Sequence, residues 1–250
     1  MMALTLEQRN EMISIAIRPQ PFAAISFDLD DTLYDNRPIL VHAEKQLMDF
    51  LAEQYPRSTQ WRAEQWLNLK RQLVQQTPSL VHDTTAARLA TLESGLQLLG
   101  YTKAEAKLGA VDGLSHFLHY RSNFTLSDEV LSVLKQLATG YRLIGITNGN
   151  VDGKRIGLGE VFEFVLHPGK GIRMKPYSDL FRQAVVRLDL TTADLLHVGD
   201  SYKADVQGAR LAGCQAAWLN PDVEHQPQPL GHGVLPHIQL SQLSQLLQLL

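Results

Sequence analysis

The chain has 250 residues, 44% apolar and 20% charged, which is enough for one large domain or a core with a smaller companion and too apolar for disorder. A formal net charge of −3 gives no electrostatic footprint for nucleic acid, and the single cysteine, Cys214, excludes an intrachain disulfide and any multi-cysteine metal site. No apolar run approaches the ~18 residues of a spanning helix, and residues 1–20 lack a signal-peptide core, so a cytoplasmic location without a membrane partner is expected.

The first apolar run, FAAISF (22–27), leads straight into DLDDTLYD, which places Asp28, Asp30, Asp31 and Asp35 within eight positions. Residues 37–124 then hold no convincing strand. Their periodicity predicts helices near 40–54, 58–76, 85–99 and 103–119, the last opened by the capping box Thr102-x-x-Glu105. This stretch carries 10 Lys/Arg and 8 Asp/Glu, net +2, against −5 for the rest. A solvated helical surface accounts for the excess, which would also suit a lid over an anionic ligand.

From residue 127 strands and helices alternate. A helix over 127–139, with Ser127 as N-cap, precedes YRLIGIT (141–147) and FEFVLH (162–167). A helix over 178–189 precedes LLHVG (195–199), and one over 203–212 precedes QAAWL (215–219). The Leu/Gln-rich stretch 239–250 reads as a terminal helix docked on the core. Short apolar runs without strict alternation are the pattern of strands buried on both faces of a parallel sheet. The fold class is therefore α/β: an open parallel sheet built from 1–36 and 125–250, interrupted by an all-helical insertion over 37–124.

Four acids at the end of one buried strand need a reason. An EF-hand loop fails, because Leu33 stands where its glycine belongs and Ile39 where its glutamate belongs. Helix capping uses one acid, or two, and leaves Asp28 and Asp30 unexplained. A divalent cation site makes such a cluster tolerable, and it predicts more acids at a neighbouring strand end. Asp200 and Asp205, in GDSYKAD after LLHVG, supply them. His116 and His119 form an isolated pair on an insertion helix and read as surface or interhelical residues. Cys214 reads as a packed small hydrophobe.

Two further groups occupy matching places. Thr147 and Asn148 end the second strand with a hydroxyl and an amide, and Lys175 precedes Pro176 in a loop. An acid cluster with Mg²⁺, a threonine and a lysine is equipment for phosphoryl transfer. Neither a P-loop nor a G-x-G-x-x-G turn is present, so a glycine-rich nucleotide cradle is not expected.

DLDDTLYD, ITNG, Lys175 and GDSYKAD, in that order, resemble the four motifs of the haloacid dehalogenase superfamily, and the insertion resembles its helical cap. The resemblance implies a Rossmann-like core with strand order 5-4-1-2-3. It implies that Asp28 is a nucleophile forming an aspartyl-phosphate and that Asp30 is the general acid and base. Asp28, the Asp30 carbonyl and Asp200 would hold Mg²⁺, with Asp205 a further ligand or a support behind them. Thr147 and Lys175 would bind the phosphoryl oxygens, Asn148 would add an amide, and the N–H groups near Asp31 and Thr32 would complete the cradle. The stretches DDTLYDNRP, FEFVL, KPYSD and LPHI are similar to the bacterial flavin-pathway phosphatases of this superfamily, which act on FMN and 5-amino-6-(5-phospho-D-ribitylamino)uracil. That similarity makes His82 and Arg88 candidate lid contacts, and puts Tyr34 and Asn36 where the chain leaves the core. Trp61 and Trp66 read as cap core. The expected partner is a small phosphorylated metabolite, and the expected assembly a monomer or homodimer. A phosphosugar mutase, a broad-specificity sugar-phosphate or nucleotide phosphatase, and a receiver-like phosphoacceptor domain are the alternatives.

Overall fold

The computed structural model describes residues 13–221 and 233–250. The first twelve residues of the expected core segment 1–36, and 222–232 of its second segment, lie outside the described residues. Seven strands share one sheet: β1 (Ser14–Ile15), β2 (Ala24–Phe27), β3 (Arg142–Ile146), β4 (Val165–Leu166), β5 (Leu195–Gly199), β6 (Gln215–Leu219) and β7 (Ile238–Leu240). Their order is β1-β7-β6-β5-β2-β3-β4. All pairings are parallel except β1 with β7. The five strands read from the sequence stand in the expected order, and two short ones extend the sheet beyond β6.

Side chains leave successive strand residues on opposite faces. Ile25, Phe27, Leu196, Val198, Ala217 and Leu219 line one face. Ala24, Ile144, Leu195, Ala216 and Trp218 line the other. The first face is covered by helix α5 (Asp128–Leu137) through Val133, Leu134 and Leu137. Helix α6 (Asp179–Leu188) covers the second through Leu180, Phe181 and Ala184, together with the short α7 (Gly208–Ala212). Cover on both faces is what a parallel sheet requires, because both faces are predominantly apolar.

Between β2 and β3 lie four long helices: α1 (Asn36–Gln54), α2 (Ala63–Gln76), α3 (Thr84–Leu98) and α4 (Lys103–Arg121). They have a core of their own around Leu47, Leu51, Trp66, Leu92, Leu96 and Phe117. All four starts are fixed by side chains, that of α2 by Gln65 Oε1, which accepts from Arg62 N at 2.7 Å. Asp35 accepts from Arg37 N at 3.0 Å, Asp83 from Ala86 N at 2.8 Å, and Thr102 with Glu105 closes the expected capping box. Gly95 of α3 lies flat under Trp66, where a Cβ would approach the ring to 2.2 Å. The helical unit meets the sheet domain at its 82–85 corner: Lys170 N donates to Asp83 at 3.3 Å, Asn150 Nδ2 donates to Thr85 at 3.1 Å, and His82 packs edge-on against Tyr177. Among the described residues no helix is long and apolar enough to cross a membrane.

Three elements differ from the sequence reading. The expected helix 58–76 is split: a 3-10 turn over Pro56–Gln60 precedes α2, with the Thr59 hydroxyl donating back to Pro56 O at 2.7 Å. The expected helix 203–212 opens as a π-helical turn, Tyr202–Gln207, before α7. The expected terminal helix 239–250 is instead strand β7 followed by a 3-10 segment, Leu243–Leu249. Pairing with the exposed edge of β6 satisfies backbone groups that a helix there would have left open.

Candidate active site

The acidic residues emerge where β2 and β5, paired in parallel, both end. Asp28 follows Phe27, and its N–H continues the ladder to Val198 O at 2.8 Å. Asp200 follows Gly199, and Asp205 turns back from the π-helical turn to lie over Gly199, where a Cβ would meet its carboxyl carbon at 2.3 Å. Only glycine allows that approach. Thr147 ends β3 on the other side of β2, fully buried, and its hydroxyl oxygen accepts from Gly149 N at 3.0 Å. Residues separated by more than a hundred positions thus converge at the carboxyl edge of one sheet, the usual ligand side of such folds.

Lys175 sits at the centre, 1% exposed. Its Nζ lies 2.7 Å from Asp205, 3.1 Å from Asp28 and 2.6 Å from Ile146 O. Behind it, fully buried His197 bridges Ser26 at 2.9 Å and Asp205 at 3.1 Å. Burial opposes the charge on Lys175, but Asp205 and Asp28 outweigh it and raise its pKa above the ordinary lysine value. Burial likewise pushes Asp205 up, yet Lys175 and the His197 hydrogen bond hold it down to about 2. Burial, with Lys175 next, pushes His197 down to about 4, so it stays neutral. Asp28 is pushed up to about 7, by burial against the pull of Lys175 and with Asp205 adding to the rise. The buried ion pair is therefore Lys175 with Asp205, and Asp28 is the carboxylate whose charge still lacks compensation.

Asp30 is tied differently. Its Oδ1 accepts from the Tyr34 hydroxyl and from Arg121 Nη2. Its Oδ2 faces Gly149, where a Cβ would lie 2.6 Å away.

The sequence matches the model of the haloacid dehalogenase-like hydrolases over residues 22–213. The chain belongs to that family. It is 36% identical, over 91% of its length and 96% of the relative's, to the 5-amino-6-(5-phospho-D-ribitylamino)uracil phosphatase YigB of Escherichia coli (strain K12). A phosphoserine phosphatase of Thermus thermophilus is 34% identical over 42% of this chain and 44% of that protein. Among solved structures, a 2-haloacid dehalogenase from Pseudomonas syringae pv. tomato DC3000 superposes with a TM-score of 0.85 at 35% identity, covering 91% of this chain and 97% of the other.

Within this haloacid dehalogenase-like hydrolase, the other residues singled out by sequence fall into two groups. Thr32 and Asn148 brace the site. Thr32 Oγ1 donates to Asp200 at 2.9 Å, and Asn148 clasps the Lys175 backbone by a 2.9 Å and a 2.8 Å bond. The N–H groups of Asp31 and Thr32, expected in a phosphate cradle, instead close the turn on Tyr34 O and Leu29 O. Asp31 makes that turn possible by adopting φ 60°, which aspartate tolerates better than most residues. Asp35 caps α1, the role that capping alone would have given it.

Arg88 lies inside the helical unit, paired with Glu44 at 2.6 and 3.0 Å and stacked 3.5 Å over Phe117, a position that serves packing within that unit. Trp61 and Trp66 contact each other edge-on, and His116 stacks on Phe50. A cleft of about 630 Å³ runs along the seam past Thr85, Asn150, Asp152 and His167 and is lined by none of the acid cluster. Arg121, His197 and Ser26 stand outside the motifs that the sequence marks. The histidine inside LLHVG was the available signal, a polar side chain in a strand otherwise buried and apolar.

The donor set fits a hard divalent cation. Asp28, Asp200 and Asp205 each offer one carboxylate oxygen, all within 4.8 Å of one another. Among the described residues Lys175 is the cation paired within this cluster, with Asp28 and Asp205, and burial raises Asp200 as it does Asp28. Oxygen ligands of this kind suit Mg²⁺.

Proposed function

We propose that the protein is a Mg²⁺-dependent phosphomonoesterase working through an aspartyl-phosphate on Asp28, with 5-amino-6-(5-phospho-D-ribitylamino)uracil or FMN as its first candidate substrate. The observation that carries the reading is the single cluster in which Lys175 joins Asp28 and Asp205, beside Asp200, and reaches Ile146 O at the residue before Thr147. The kinship to YigB supports the substrate class. In this reading the sheet domain, 1–36 and 125–250, does the chemistry, and the helical unit 37–124 acts as a cap, in the cytoplasm.

Bound at Asp28, Asp200 and the Asp30 carbonyl, with Asp205 alongside, Mg²⁺ would supply positive charge for the phosphoryl oxygens. The chain's own residues do the rest. Lys175 and the Thr147 hydroxyl donate to the transferring group, whose charge grows on the oxygens they reach. Asp28 attacks phosphorus, Asp30 protonates the departing alcohol, and Asp30 then takes a proton from the water that hydrolyses the intermediate. An acid at position 30 matters for an alkoxide leaving group and is unnecessary for a halide.

The test is phosphate release from p-nitrophenyl phosphate, FMN and 5-amino-6-(5-phospho-D-ribitylamino)uracil, with Mg²⁺ and with EDTA. Asp28→Asn is expected to lower kcat by at least about 10³-fold. Activity untouched by Asp28→Asn, or halide release from a 2-haloacid in place of phosphate release, would refute the proposal. Return of the phosphoryl group to a hexose phosphate would point to a mutase.

A further inference from the structure

Asp30 stands where the chain leaves the sheet for the helical unit, and both crossings reach back to it. On the outward crossing, Tyr34 donates its hydroxyl to Asp30 Oδ1. On the return crossing, Arg121, the last residue of α4, donates Nη2 to the same oxygen and lies 3.4 Å from the Tyr34 hydroxyl. Oδ2 takes part in neither contact and faces the turn at Gly149, next to Thr147. Arg121 is 2% exposed, and its Nη1 has no partner among the described residues. A buried guanidinium with an unpaired nitrogen is a costly way to finish a helix, and an apolar side chain would pack there at lower cost.

We infer that Arg121 is a positioning residue for proton transfer: with Tyr34 it holds Oδ1 of Asp30 as an acceptor, so that Oδ2 exchanges the proton. The inference rests on the phosphatase reading. In the first step an Asp28 oxygen bonds to phosphorus, the bond from phosphorus to the alcohol oxygen breaks, and the proton on Asp30 Oδ2 goes to that oxygen. In the second, water oxygen bonds to phosphorus, the bond to Asp28 breaks, and the water's proton goes to Oδ2. Because one clamp residue lies on each crossing, the aim of Asp30 depends on how the helical unit is seated.

The experiment compares kcat/KM, with Mg²⁺, for p-nitrophenyl phosphate, whose phenolate leaves without help, and for FMN, whose alkoxide needs a proton. Asp30→Asn and Arg121→Met are each expected to lose about 10²-fold or more on FMN and less than about tenfold on the aryl ester. Tyr34→Phe should show the same bias more weakly, and Arg121→Lys should regain part of the FMN activity through kcat. These two milder variants carry the test should Arg121→Met not fold. Equal losses on both esters in the Arg121 and Tyr34 variants, with Asp30→Asn still selective, would overturn the inference and leave the phosphatase intact. So would a wild type confined to the aryl ester. A wild type inactive on both would overturn the phosphatase reading itself.

Discussion

At Gly149 there is no room for a side chain, because a methyl group would lie 2.6 Å from Asp30 Oδ2. Gly149→Ala should therefore displace the carboxylate and lower kcat/KM on an alkyl phosphate by on the order of 10²-fold, with little change in melting temperature. His197 gives a prediction about pH. Its pKa in the fold is about 4, below the ordinary 6.5, so between those values the unfolded chain binds more protons than the folded one. Stability from this group is present above pH 6.5 and is lost as pH falls toward 4. The loss is up to about 3 kcal/mol, and Asp28, raised to about 7, contributes the opposite slope over the same window. Without Mg²⁺, His197→Gln should therefore leave melting temperature falling more steeply as pH rises from 4 to 6.5 than in the wild type. The acids of this site were legible because carboxylates behind an apolar run are conspicuous. Arg121 was not: its partner lies 91 positions away and nothing local marks that bond, while His197 was marked only as a polar residue in an apolar strand, with no sign of its bond to Ser26 171 positions away.

The corner at Asp83 does two jobs for the elements around it, capping α3 and accepting from Lys170 N in the sheet domain. Asp83→Ala should cost about 1 kcal/mol, or about 2–4 °C in melting temperature, and Asp83→Asn much less. A thermal scan of the pair checks this. Elements with strong local signals were read correctly. The run 195–199 and the capping box at Thr102 each carry their own boundaries, and the structure keeps them. The 239–250 stretch misled because glutamine and leucine each recur every third residue, from Gln239 and Leu240 on, a period that matches neither an α-helix nor a strand. What decides it is the open edge of β6, which takes Ile238–Leu240 as a strand, and that is a tertiary fact. The splitting of 58–76 is local instead, a hydroxyl of Thr59 competing for the backbone.

For the molecule as a whole, the uncompensated charge at the strand ends makes folding and cation binding one equilibrium. Mg²⁺ at a hundred times its dissociation constant should stabilise the protein by about 2.7 kcal/mol, reversibly with EDTA. The effect should shrink in Asp200→Asn, and differential scanning fluorimetry across a Mg²⁺ series measures it. The sheet itself ends quietly on both sides. Among the described residues its rims are β1 and β4, two residues each, while every longer strand lies inside. Ser14 and Ile15 thus act as a stopper on β7. A rim that short offers a second copy almost nothing to zip onto, so these molecules should resist fibre-like stacking even when crowded, and any pairing between copies is left to helices and loops.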